Sequence, residues 1–178
     1  MNVYLTGTVN SRMVEKLFSY GDSLKKKDHL YVWLNSPGGY LSDAEVILNY
    51  FESMQDRMTL IMTGSISSAA LHLALRTTVP KQILPSTIGW AHQPRVLANI
   101  TQSGKLAQGE DDAELFLKDK QSLKEFMSVY EPLLTPKQFL EMKKGKDIPF
   151  NPKEFINLFK KQQKIQNEYF KNLSKEYE

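Results

Sequence analysis

In the first half of the chain, short apolar runs alternate with segments whose apolar residues recur at helical spacing, and this limits the fold more than any other feature. "VYLTG" reads as a strand ended by glycine, and residues 11 to 24 read as a helix, with Met13, Val14, Leu17 and Phe18 at helical spacing. "HLYVWLN" is a second strand, rich in aromatic and β-branched residues. The turn "SPGG" leads to a helix from about Ser42 to Met54, with Ala44, Ile47, Leu48 and Phe51 on one face. "MTLIMTG" is a third strand, "SSAALHLALR" a third helix, "QILP" a short strand and "IGWAHQP" another. Strand and helix in this order imply βαβ crossovers and a mainly parallel sheet. Such sheets bind ligands beyond the carboxyl ends of their strands. Those ends are "NSPGG", "TGSISS" and "AHQP".

The second half is helical in pattern. Residues 95 to 109 are polar and irregular, and a strongly amphipathic helix is expected from about Glu110 to Tyr130. A short helix should start with Thr135 as N-cap and Pro136 in first position, and stop at Gly145. Asn151 with Glu154 three residues on has capping-box spacing. Beyond it Phe155, Leu158, Phe159, Gln162, Ile165, Tyr169 and Leu173 form a stripe among lysines and glutamates.

The 178 residues suggest one domain, long enough to bury a core. A net charge of +3, with lysines spread among acids, makes nucleic acid a poor partner, and "KKK" at 25 to 27 reads as a solvated helix end. The absence of cysteine excludes disulfides, thiolate zinc sites and a cysteine nucleophile, and fits a reducing compartment. The N-terminus lacks signal-peptide character, and no stretch approaches the roughly 18 apolar residues of a membrane span. The expectation is a soluble cytoplasmic protein with no membrane contact.

Serine is a weak nucleophile until a base takes its proton and a third group orients that base. Three histidines are available: His29, His72 and His92. His29 begins a strand at the end opposite the expected crevice, and His72 lies inside the third helix. His92 follows a strand and precedes Gln-Pro, which makes it the best base. Among the serines of "GSISSAA", Ser68 stands at a helix N-terminus just after a strand and a glycine. Unpaired N–H groups and the helix dipole there stabilise a developing oxyanion. Read locally, the favoured explanation is that Ser65, Ser67 or Ser68 merely caps the helix. The glycines of "NSPGG" supply either positive φ angles or bare amides to a substrate, and the lysine of a phosphate loop is missing.

Together, "YLTGTV", "YVWLNSPGGYLSDA", "GSISSAA" and "LPSTIGWAHQP" resemble, in order and interval, the ClpP family of serine peptidases, the proteolytic subunit of the Clp protease. The likeness runs from residue 3 to 94. It implies a ClpP/crotonase-like α/β fold, a repeated β-α-β spiral with a mainly parallel sheet, a long handle-type helix and a C-terminal amphipathic helix. Residues 1 to 178 would then form one domain: a core to 94, a handle-like region from 95 to 134, a segment carrying the third triad residue from 135 to 158, and a helical extension from 159.

By resemblance Ser68 is the nucleophile and His92 the base, with the N–H groups of Gly39 and Ala69 as oxyanion hole. Asp147, four residues before the Asn151 cap, takes the third place in the triad, ahead of Asp111 and Asp112. The implied reaction is acyl transfer on a polypeptide, without metal or other cofactor. Substrate would lie as an added strand beside Gly38 and along Gln93, Pro94 and Arg95 and the segment after them. The chain starts at the family's first strand, so the segment used for ring packing and for docking an unfoldase ATPase is expected to be missing. Homo-oligomers are expected from the apolar surface of the handle and tail. A catalytically silent subunit, a crotonase-type acyl-thioester enzyme and a signal-peptide-peptidase relative with a serine–lysine dyad are the competing readings, the last opposed by the missing membrane segment and by "HQP".

Overall fold

The computed structural model describes residues 1–95 and 120–176, and the α/β architecture with a mainly parallel sheet and a C-terminal helix is present. The chain forms two compact units, Met1–Ala91 with Pro149–Glu178, and His92–Ile148.

The first unit holds a four-stranded sheet in the order β1 (Asn2–Thr6), β2 (Leu30–Ser36), β3 (Met58–Ile66), β4 (Lys81–Ile83), with every neighbouring pair parallel. Helices α1 (Ser11–Asp22), α2 (Leu41–Ser53) and α3 (Ser68–Arg76) connect or follow the strands. Alternation decides which face is covered. Val3, Leu5, Leu30, Val32, Leu34, Met58, Leu60 and Met62 are inaccessible, while Tyr4 and Tyr31 on the other face are exposed. Tyr4 stacks on Trp33 across β1 and β2, with ring centroids 5.9 Å apart.

β5 (Gly89–Ala91) and β6 (Ile148–Phe150) form a separate two-stranded sheet. β6 had no sequence signal: it has three residues and a central proline, which belongs at an edge. The last helix, α6 (Pro152–Glu176), opens with the expected capping box, in which Glu154 N donates to Asn151 Oδ1 and Asn151 N to Glu154 Oε2. Its stripe is buried through Phe155, Leu158, Phe159 and Gln162, but Ile165 and Tyr169 are exposed. Gln162 Nε2 donates to the Leu75 carbonyl at 2.8 Å and so satisfies one of the unpaired carbonyls that end α3.

In the second unit, α4 covers Lys120–Tyr130, and the expected start of that helix near Glu110 lies outside the described residues, as do Asp111 and Asp112. α5 (Pro136–Lys143) carries the Thr135–Gln138 capping box, and Gly145 follows at φ +80°. Among the described residues no helix is long and apolar enough to cross a membrane.

His72 is 4 % exposed within α3, and burial, then the Arg76 charge, lowers its pKa from 6.5 to about 3. The native ring is therefore neutral where the unfolded chain would be protonated, so stability falls as pH drops from 6.5 toward 3. Between pH 7 and pH 5 the loss should be about 2 kcal/mol. Urea unfolding of His72→Leu at the two pH values is expected to show a flatter dependence than the wild type.

Candidate active site

The glycine turn after β2 is pinned from two sides. Gly38 N donates to Ser36 Oγ at 3.1 Å, and Val9 N donates to the Gly38 carbonyl at 2.8 Å. Tyr40 N returns a bond to Val9 O at 2.9 Å. Gly39 has no room for a side chain, since a Cβ there would lie 2.2 Å from Val9 O. Its N–H meets no acceptor among the described residues.

The junction from β3 to α3 is built against this turn. β2 and β3 pair in step to Leu34–Met62 and next at Ser36–Ile66, so three residues of β3 face one of β2. Asn35 fills the gap: its Oδ1 accepts Ser65 N at 3.0 Å, and a Cβ on Gly64, φ +63°, would fall 2.7 Å from it. Ser67 N then donates to Ser36 O at 3.0 Å.

The three serines now separate. Ser65 and Ser67 share a hydrogen bond at 3.1 Å, and Ser67 Oγ also accepts Trp90 N at 3.2 Å. Ser67 is the N-cap of α3, yet its side chain makes no cap bond. Ser68, at φ +53°, is the only residue besides glycine with positive φ among the described residues. Such a conformation costs on the order of 1–3 kcal/mol and persists only where the surroundings impose it.

Those surroundings are close. A Cβ on Gly38, φ +101°, would lie 2.5 Å from Ser68 Cβ, 2.8 Å from Ser67 O and 3.0 Å from Ala69 N. Ala70 N and Leu71 N both donate to Ser67 O, while the Ala69 N–H precedes the first such bond and takes no acceptor among the described residues. Gly38, Ser68 and Ala69 are thus brought together at the positive end of α3. This geometry suits a hydroxyl nucleophile beside donors for an oxyanion.

In the second unit, His92 is half-buried and its Nδ1 lies 2.7 Å from the Gln93 carbonyl. A carbonyl can only accept, so Nδ1 is the donor of this bond, which in the neutral ring makes Nε2 the acceptor. Asp147 is exposed, and its Oδ1 accepts Arg95 Nη2 at 2.5 Å. The same nitrogen donates to Gly145 O at 2.7 Å. No hydrogen bond joins His92 to Asp147 among the described residues. Pro94 is buried, and the segment after Arg95, expected to bed a substrate, lies outside the described residues. His29 bonds Thr59 Oγ1 and packs on Tyr31, at the opposite end of β2 from the Gly38 turn. Among the described residues no three His, Asp or Glu side chains converge as metal ligands.

A sequence model of the Clp protease family matches residues 1–151. The chain belongs to the Clp protease family. It is 30 % identical over 95 residues to the ATP-dependent Clp protease proteolytic subunit 2 of Pseudomonas aeruginosa, covering 52 % of this chain and 47 % of that protein. It is 24 % identical over 96 residues to the ATP-dependent Clp protease proteolytic subunit 3 of Rhizobium johnstonii, covering 52 % and 50 %. The chain spans about half the length of these curated relatives.

Within this Clp protease family chain, sequence reasoning missed the bonds of Asn35 and Ser36 that set the junction, the bond from Trp90 to Ser67, which it read only as a helix cap, and the Gln93 carbonyl that orients His92. Their only signal was position beside the glycines, the nucleophile candidate and the histidine. Gly38→Ala is expected to lower stability by about 1–3 kcal/mol through overpacking and to displace Ser68. Thermal unfolding together with reactivity toward a fluorophosphonate probe measures both effects.

Proposed function

We propose that this chain is a serine-type endopeptidase that cleaves polypeptides through an acyl-enzyme. Ser68 Oγ attacks the peptide carbonyl, and His92 Nε2 takes the hydroxyl proton. The N–H groups of Gly39 and Ala69 donate to the resulting oxyanion. His92 passes the proton to the leaving amine, and water then clears the acyl group by the same route in reverse. Asp147 would offset the imidazolium charge, a role that requires it to leave Arg95. Gly38, Gln93, Pro94 and Arg95 line the path of an extended substrate.

The observation that carries this reading is Ser68, held at φ +53° at the head of α3 with the Gly38 turn against its Cβ. A simple helix cap needs no such conformation, because cap residues adopt extended backbone. Family membership supports the reaction class. The names of the two relatives include "ATP-dependent". The proposal includes a homo-oligomer in the cytoplasm, and those names extend it to an ATP-dependent partner.

One observation favours a second reading, a catalytically silent subunit: Asp147 is engaged by Arg95 instead of by His92. A fluorophosphonate probe separates the two. The wild type is expected to label, Ser68→Ala to lose labelling at least a thousandfold, and His92→Ala to lose it comparably. Labelling that survives in Ser68→Ala overturns the assignment, and no labelling of the assembled wild type supports the silent subunit.

A further inference from the structure

Ser67 has a side chain that α3 does not use. It is buried at 2 % exposure and is the N-cap of the helix, yet its side chain bonds none of the first-turn amides. Its Oγ accepts the Trp90 amide at 3.2 Å, and its own amide donates to Ser36 O at 3.0 Å. Its carbonyl accepts Ala70 N and Leu71 N. One residue therefore holds β2, β5 and the first turn of α3.

The bond to Trp90 continues a ladder that would otherwise stop. β3 and the approach to β5 exchange main-chain bonds from Ile88 N to Gly64 O and from Ile66 N to Ile88 O, at 2.9 Å each. The next amide on the same alternation is that of Trp90. The main-chain acceptor in step would be the Ile66 carbonyl, the last of β3, but it lies against Gly89 and Trp90 N bonds Ser67 Oγ instead. The Ser67 hydroxyl is the acceptor that the Trp90 amide uses.

We infer that Ser67 is a positioning residue that locks β5, which ends one residue before His92, in register with the junction that strains Ser68. The inference rests on the reading of Ser68 as the nucleophile. Ser67 touches no reacting atom. It acts by holding Ser68 at positive φ and by fixing the strand from which the chain runs on to His92. The shared bond with Ser65 leaves the Ser67 hydroxyl hydrogen a partner while its lone pair faces Trp90.

The test uses the full chain labelled with nitrogen-15, and reads Trp90 amide exchange alongside the fluorophosphonate labelling rate across pH. Ser67→Ala is expected to speed exchange at Trp90 and slow labelling, each at least tenfold, while the chain remains folded by circular dichroism. Ser67→Thr, which keeps the hydroxyl, should recover most of both. Ser65→Ala, which leaves the Trp90 acceptor in place, should stay within about threefold on both. Should the alanine variant fail to fold, Ser67→Cys, a weaker acceptor of similar shape, reads the same effects at smaller size. Unchanged Trp90 exchange in Ser67→Ala, or faster exchange with unchanged labelling, overturns the positioning role and leaves the Ser68 assignment standing. Labelling that does not depend on Ser68 overturns the assignment itself, and the role of Ser67 with it.

Discussion

The Ser67 amide donating to the Ser36 carbonyl ties the end of β2 to the start of α3. Ladder pairing between β2 and β3 breaks after Leu34 and Met62 and resumes only at Ser36 and Ile66. Asn35 bridges the break from its side chain, and the Ser67 bond closes it. From that closure Gly38 comes to rest on Ser68, and α3 starts with its first amides beside the glycine turn.

Strain at Ser68 is tolerated because the rest of α3 is deeply buried. Every residue from Ala69 to Leu75 is inaccessible or nearly so. Burial of Leu71, Leu73 and Leu75, at roughly 1.5–3 kcal/mol for each side chain, outweighs the roughly 1–3 kcal/mol cost of one positive φ. The same burial removes His72 from acid-base work, since desolvation keeps its ring neutral. At the other end of α3, Gln162 supplies the donor that the Leu75 carbonyl lacks, a polar contact from α6 that a purely apolar stripe would not have made.

The regular elements were legible because their signals are local. Alternation in "HLYVWLN" marked β2, and the Thr135 and Asn151 caps appear with the bonds that their spacing implied. Gly38, Gly39 and Gly64 all take the positive φ that turn glycines allow. β6 was illegible, being three residues around a proline whose pairing comes from a strand far away in sequence. Arg95 illustrates the same limit in the second unit. Its guanidinium lies on Asp147 and the Gly145 carbonyl, about fifty residues on in the chain. His92 takes its orientation from the adjacent Gln93 carbonyl, a main-chain group that carries no residue-type signal.

The sequence by itself determined the order of strands and helices, the parallel character of the sheet and the loops at its carboxyl ends. Hydrophobic period, glycine and cap residues act over a few positions and are written in residue type. Which of three neighbouring serines is strained, and which two serve as hydrogen-bond partners, was decided only by the tertiary structure. That choice depends on the break in the β2–β3 ladder, on the Gly38 turn arriving thirty residues upstream and on the Trp90 amide arriving about twenty downstream. A backbone angle imposed by contacts so distant has no local signature, because Ser65, Ser67 and Ser68 are chemically the same residue.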